Sequence, residues 1–165
     1  MAKESKPKML LTYKAQEAVR ETINLRILTE LQATPRLSMT ELGRRVGLTA
    51  PAVTERVRRL EETGVIRAYR VEIDSAALGL PLAAFVRVRP NAGQLPRLIE
   101  AAASIPEVVE CHRVTGEDCL IIKVNLPSID QLDRVLDVFL AFGNTATSIV
   151  QSSPIPRRPL PLPER

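Results

Sequence analysis

The chain has 165 residues, of which 45% are hydrophobic but only 3% aromatic, and a formal net charge of +4. That length allows one large domain or two small ones, and no apolar run approaches the roughly 18 residues of a membrane span. The charge is uneven: Lys and Arg outnumber Asp and Glu by 14 to 8 up to Arg70, fall behind by 6 to 10 from Val71 to Ser152, and lead by 3 to 1 thereafter. A basic front and an acidic back point to polyanion binding by the front alone, and the missing basic amphipathic helix with aromatic anchors argues against a membrane surface.

Residues 1–14 are lysine-rich and read as a flexible basic arm. Its apolar run, Met9-Leu10-Leu11, is too short for a signal-peptide core, so a cytoplasmic, nucleoid-associated protein is expected. Residues 15–73 read as a winged helix-turn-helix domain. A first helix over residues 15–33 carries Val19, Ile23, Ile27, Leu28 and Leu31 as its apolar stripe and ends at Thr34-Pro35.

The most informative stretch follows, SMTELGRRVGLTAPAVTERVRRL from Ser38 to Leu60. Ser38 is an N-cap, with Glu41 three residues on as a capping box requires. Leu42 and Val46 share one side of the short helix, and Gly47 supplies the left-handed residue that stops it. Thr49 caps the next helix, with Pro51 in the first turn, where a missing N–H does no harm. Val53, Val57 and Leu60 form its buried stripe, and Pro51, Glu55, Arg58 and Glu62 lie opposite, flanked by Thr54 and Arg59. Helix, glycine turn and helix with a polar outer face is the arrangement by which a recognition helix enters the DNA major groove. Arginines on a helix often do no more than solvate it; the caps, turn and apolar stripe around these favour a DNA-facing surface. Arg56 falls close to the buried stripe and is expected to pair with a group such as Glu41. Gly64 ends the helix, and residues 65–73, VIRAYRVEI, read as the strand of a wing.

Residues 74–81, DSAALGLP, form a linker. Beyond it, residues 82–152 alternate strand and helix: strand 82–88, helix 95–103 with Leu95, Leu98, Ile99 and Ala102, strands 108–114 and 120–124 around the turn TGED, helix 130–142 with Leu132, Val135, Leu136, Phe139 and Leu140 buried, and strand 145–151 after Gly143-Asn144. The order βαββαβ is the ferredoxin-like split βαβ sandwich, so the fold class is α+β. One sheet face is left without helices. Ala84, Val86 and Val88 alternate with Phe85, Arg87 and Arg89, and two such sheets can pack in a dimer. In the hairpin Cys111 faces Ile122 and Cys119 faces Val114; both are expected as free, mostly buried thiols. His112 points away from Cys111, as strand neighbours do. With no metal-ligand spacing, phosphate loop or serine elbow, no metal, cofactor or catalytic residue is expected. Residues 153–165 hold five prolines and read as an extended or disordered tail.

GRRVGLTAPAVTERVRRLEETGVIRAY, the ALGLP linker and the VTGED turn together resemble the leucine-responsive regulatory protein (Lrp/AsnC, feast/famine) family, over roughly residues 21–150. The resemblance implies a winged helix-turn-helix joined to a RAM-type effector-binding and oligomerisation domain, in homodimers and often octamers, whose action on double-stranded DNA responds to amino acids. It places Thr49, Pro51, Thr54, Glu55, Arg58 and Arg59 on the recognition face and Arg44 and Arg45 where phosphates are reached, with Ser38 counted beside them. It places an amino-acid effector around Thr115, Gly116, Glu117 and Asp118, with Thr145, Thr147 and Ser148 as the other wall. Turn N–H groups suit a carboxylate, and Glu117 or Asp118 an ammonium. The chain departs from the family where relatives often carry aromatics, here Asp118 and Leu120.

The function expected is therefore sequence-specific transcription regulation modulated by an amino acid. The alternative is an architectural protein that wraps or bridges DNA without a small-molecule response. Sirohaem decarboxylases share the two-domain build, but the histidine-bearing motifs of those enzymes are missing from IRAYRVEIDSAALGL, so no enzyme is expected.

Overall fold

The computed structural model describes residues 8–163, with side chains from Tyr13 onward. The chain divides into two units: one takes in residues up to Val71 together with those from Arg157, and the other spans Glu72–Pro156.

The first unit is helical: α1 (Lys8–Ala18), α2 (Thr22–Ala33), α3 (Met39–Val46) and α4 (Ala50–Glu62). The single helix expected over residues 15–33 is broken in two. Asn24, only 5% exposed, donates from Nδ2 to the Ala18 carbonyl at 2.8 Å, which occupies a carbonyl that α1 leaves open at its end. The flexible arm expected over residues 1–14 is also corrected, because α1 begins at Lys8; residues 1–7 lie outside the described residues. KMLLTYKAQEA contains no Gly or Pro and is rich in good helix formers, so propensity makes a helix without a clear amphipathic period.

At α3 and α4 the capping residues stand where expected, but the capping box is half made, because the Glu41 carboxylate is held by Arg44 and Arg45. Ser38 Oγ accepts from the Glu41 N–H at 3.2 Å, Thr49 Oγ1 accepts from the Ala52 N–H at 3.4 Å, and Gly47 is left-handed at φ 76°. Ile27, Leu42, Val53 and Leu60 are fully buried, and Leu28, Leu31, Val46 and Val57 complete the core. Cutting either fully buried leucine to alanine would cost about 2–5 kcal/mol.

The wing strand expected over residues 65–73 is not formed within the chain. A strand needs a neighbour for its backbone groups, and no ladder reaches this segment among the described residues. The Ile66 N–H donates to the Leu60 carbonyl at 3.0 Å, and Tyr69 Oη donates to Glu61 at 2.9 Å. Val71 and Ile73 are exposed.

The second unit is the expected βαββαβ: β1 (Leu82–Pro90), α5 (Leu95–Ser104), β2 (Val108–Arg113), β3 (Leu120–Leu126), α6 (Ile129–Leu140) and β4 (Gly143–Ile149). The sheet order is β2-β3-β1-β4, antiparallel throughout. Ala84, Val86 and Val88 of β1 and Leu120, Ile122, Val124 and Leu126 of β3 bury one sheet face against Leu98 and Ala102 of α5 and Leu132, Val135 and Phe139 of α6. Leu140, expected inside, is 53% exposed, and Ile99 is 41% exposed, because each helix turns only one narrow stripe to the sheet.

Cys111 is also corrected. It faces Ile122 as expected and both cysteines are free, yet it is exposed, because β2 is an edge strand that packs against the core only at Val108. Partial burial still pushes its thiol pKa up. The tail forms neither helix nor strand where it is described, but its end is held: Leu162 packs against the helical core and Gln32 Nε2 donates to the Leu160 carbonyl at 3.2 Å.

Candidate functional site

The expected DNA face lies on α3 and α4. Pro51 opens α4, and Thr54 Oγ1 donates to the Ala50 carbonyl at 2.7 Å while its lone pairs remain open. The cap hydroxyls of Ser38 and Thr49 are engaged by backbone N–H groups, so they shape the helix starts. Arg58 Nε and Nη2 donate to the two Glu55 oxygens at 2.9 and 2.7 Å, Arg58 Nη1 donates to Glu62, and Arg59 Nε donates to Glu55 at 3.0 Å. Arg58 and Arg59 side chains remain 53% and 70% exposed, and their heads stay within reach of a ligand.

The α3 side is built alike. Arg44 donates twice to Glu41, at 2.9 and 2.8 Å, and Arg45 once at 2.9 Å. Arg45 also bonds Glu30 at 3.0 Å, and Arg26 donates to its carbonyl, so it ties α3 to α2 and is less free than Arg44. These arginine hydrogen bonds hold the Glu41 and Glu55 carboxyls down to about 2. The partner expected for Arg56 is corrected: Glu41 is occupied, and Arg56 instead bonds Glu21 and Asn24 at the start of α2. That cluster lines a cleft of about 340 Å³ between the helices.

In the second unit, Thr115–Asp118 close the hairpin between β2 and β3. The Val114 N–H donates to the Cys119 carbonyl, and the Cys119 N–H donates to the Val88 carbonyl, both at 3.0 Å. The turn therefore lies beside the end of β1. There Arg89 reaches Glu117 at 2.5 Å and Arg87 reaches Asp118 at 3.8 Å. The two carboxylates expected to await an ammonium already have cationic partners. Thr145 stands opposite Val88 on the same sheet end, and Thr147 opposite Val86, both on the helix-bearing face. Ser148 stands opposite Phe85 on the other face, so the three β4 residues do not share one wall. Arg87 and Arg89 went unassigned in the sequence; strand alternation put them on the open face, but only the β1–β3 register brings them to the turn. Among the described residues no three His, Cys, Asp or Glu side chains cluster as a metal site requires.

A helix-turn-helix with exposed arginines on its second helix, followed by a βαββαβ sandwich, defines a two-domain DNA-binding protein. A winged helix-turn-helix DNA-binding profile matches residues 20–67, and a profile described as the Lrp/AsnC ligand binding domain matches residues 83–160. The HTH-type transcriptional regulator LrpC of Bacillus subtilis is 34% identical over 132 residues, covering 80% of this chain and 92% of its own. Its solved structure superposes with a TM-score of 0.76 at 34% identity, over 80% of this chain and 94% of LrpC. A feast or famine regulatory protein from M. tuberculosis, complexed with L-methionine, matches with a TM-score of 0.77 and 32% identity over 87% and 99% of the two chains. The transcriptional regulator NMB0573 of Neisseria meningitidis, in an L-Met complex, gives 0.78 and 28% over 86% and 96%. The chain belongs to the Lrp/AsnC family of transcription regulators.

Proposed function

We propose that the chain regulates transcription by binding double-stranded DNA through α4 and α3, and that an amino acid bound at the sandwich domain modulates this. The observation that carries the DNA reading is the exposed arginine row on α4 above a buried apolar stripe, behind a tightly capped turn. Arg58 is assigned to base edges and Arg44, Arg45 and Arg59 to phosphates, with Ser38, Thr49, Pro51, Thr54 and Glu55 completing the face. Homodimers would form through the open sheet face bearing Phe85, Arg87 and Arg89 and present two recognition helices to successive major grooves; dimers would build larger assemblies such as octamers.

The effector reading follows from the turn. A zwitterionic amino acid carries both charges that the Arg89–Glu117 and Arg87–Asp118 pairs already offer. Its ammonium would replace an arginine at Glu117 or Asp118, and its carboxylate would take the freed guanidinium or the N–H groups about Gly116. Thr115 and Thr145 lie on the same sheet end, with Thr147 and Ser148 further along β4. Two of the similar structures hold methionine, which supports an amino acid of that size. Binding would shift the population of assemblies, and hence the DNA spacings that can be spanned.

Fluorescence anisotropy on the gene's own upstream fragment, with and without each of the twenty amino acids, tests both halves. Tight binding that shifts with one amino acid is expected. Tight binding unmoved by all twenty would favour an architectural protein, and no binding would remove the DNA reading.

A further inference from the structure

The pattern E-x-x-R-R occurs on both helices of the turn, as Glu41-Leu-Gly-Arg44-Arg45 and Glu55-Arg-Val-Arg58-Arg59. Residues three and four positions on lie over the glutamate in a helix, and in both copies one carboxylate holds both arginines. The grip has a definite geometry. Glu55 takes Arg58 along its Nε–Nη2 edge, through two parallel bonds of 2.9 and 2.7 Å. Only the outer nitrogen, Nη1, goes elsewhere, to the exposed Glu62.

A guanidinium has two edges that can make paired hydrogen bonds, and guanine O6 and N7 require one of them. With the Nε–Nη2 edge clamped, the Nη1–Nη2 edge is left for a base once Glu62 releases it. We propose that Glu55 is a positioning residue for sequence reading: it fixes the plane of the Arg58 guanidinium and presents one edge to a guanine. This rests on α4 being the recognition helix.

Two consequences follow. Arg58 gives up much of its rotamer freedom on folding, so little is left to lose when it meets a base. A carboxylate on the DNA face also repels phosphates on every sequence alike. Only a site whose guanine accepts from the presented edge offsets that repulsion, so Glu55 widens the gap between right and wrong DNA. Glu41 grips Arg44 in the same way, but a phosphate contact needs no fixed plane, so Glu41 should weaken binding to all DNA equally.

The test uses the full-length protein and two duplexes: the tightest binder it selects from a random pool, and an unselected random duplex. The readout is the ratio of their dissociation constants, with thermal midpoints checked for each variant. Glu55→Gln is expected to tighten binding to the random duplex and to lower the ratio about tenfold, within the range of one bidentate base contact. Glu41→Gln, which keeps a capping residue at its position, is expected to tighten both and leave the ratio alone. In an Arg58→Ala background, Glu55→Gln should no longer move the ratio, since its action passes through Arg58. An unchanged ratio in Glu55→Gln, with Arg58→Ala still lowering it, overturns the positioning role and leaves the reading of α4 intact. A loss that persists without Arg58 and maps to one cytosine makes Glu55 itself the reader, and also overturns the proposal. If Arg58→Ala leaves the ratio untouched, the reading of α4 fails with it.

Discussion

Gly143 opens β4 pressed against Arg89 of β1: a Cβ added at residue 143 would stand 2.1 Å from the Arg89 carbonyl oxygen and 2.7 Å from Pro90 Cα. Both neighbours are backbone, so nothing flexible can yield. The same Arg89 sends its side chain to Glu117, which links this close approach to the candidate effector turn.

Gly143→Ala should therefore part β4 from β1 at that end of the sheet. The expected loss is about 2–4 kcal/mol, at the upper end for a single substitution that overpacks backbone. Urea denaturation followed by a probe in the sandwich domain would measure it. A loss below half a kcal/mol would mean that the strands do not meet this closely.

Tyr69 gives a pH signature in the first unit. Burial, and then its hydrogen bond to Glu61, push its phenol up to about 12 from an ordinary 10.0. The folded state holds this proton more tightly than the unfolded chain, so the stability it contributes is complete below pH 10 and is lost as pH rises toward 12. Ultraviolet titration of tyrosinate should show a late component, which Glu61→Gln brings down only part of the way because burial is the larger cause. A phenol that titrates at 10 in the folded protein would remove the Tyr69–Glu61 contact.

The arginine-held carboxylates predict the opposite dependence. Glu41 and Glu55 lie at about 2 against an ordinary 4.5, chiefly through hydrogen bonds from Arg44 and Arg58. Their ion pairs are intact above pH 4.5 and fail as pH falls toward 2. Carbon-detected NMR should show the Glu55 carboxylate ionised at pH 3.5 in the wild type, and Arg58→Ala should return its titration toward 4.5. A Glu55 that titrates near 4.5 in the wild type would mean that Arg58 is free in solution.

The tail is expected to matter for the first unit. Leu162 lies half-buried against the core of the helix-turn-helix, and Gln32 holds the Leu160 carbonyl. Leu162→Ala should lower the stability of that unit by about 1 kcal/mol, less than a full core truncation because the site is open on one side. Hydrogen exchange resolved by segment would show faster opening of α2 with the sheet unaffected. Equal exchange in both proteins would show that the tail is not docked.

Features written locally were the easiest to read. Ser38, Gly47, Thr49 and the Val53–Val57–Leu60 stripe each announce a helix end or face within a few residues, and all take the expected places. The strand alternation of residues 84–89 likewise set the two sheet faces. What failed depends on distant partners. Residues 65–73 alternate like a strand, but alternation supplies no neighbouring backbone. Cys111 took its expected register, yet its burial depended on how far the helix layer reaches. Arg56 bonds Glu21 and Asn24, while Glu41, its expected partner, is held by Arg44 and Arg45. The pairing of Glu117 with Arg89 needed the β1–β3 register, which no local pattern encodes. The E-x-x-R-R spacing was visible from the start, and the i+3, i+4 rule is the signal that would have exposed its ion pairs.

The most direct test compares two single arginine replacements, one in each unit, in a titration against the same DNA duplex. Arg58→Ala on α4 should weaken binding by about 1–3 kcal/mol, while Arg134→Ala, at an exposed position of α6, should leave the affinity unchanged. If Arg134→Ala abolishes binding while Arg58→Ala binds like the wild type, DNA does not meet the protein at the helix-turn-helix.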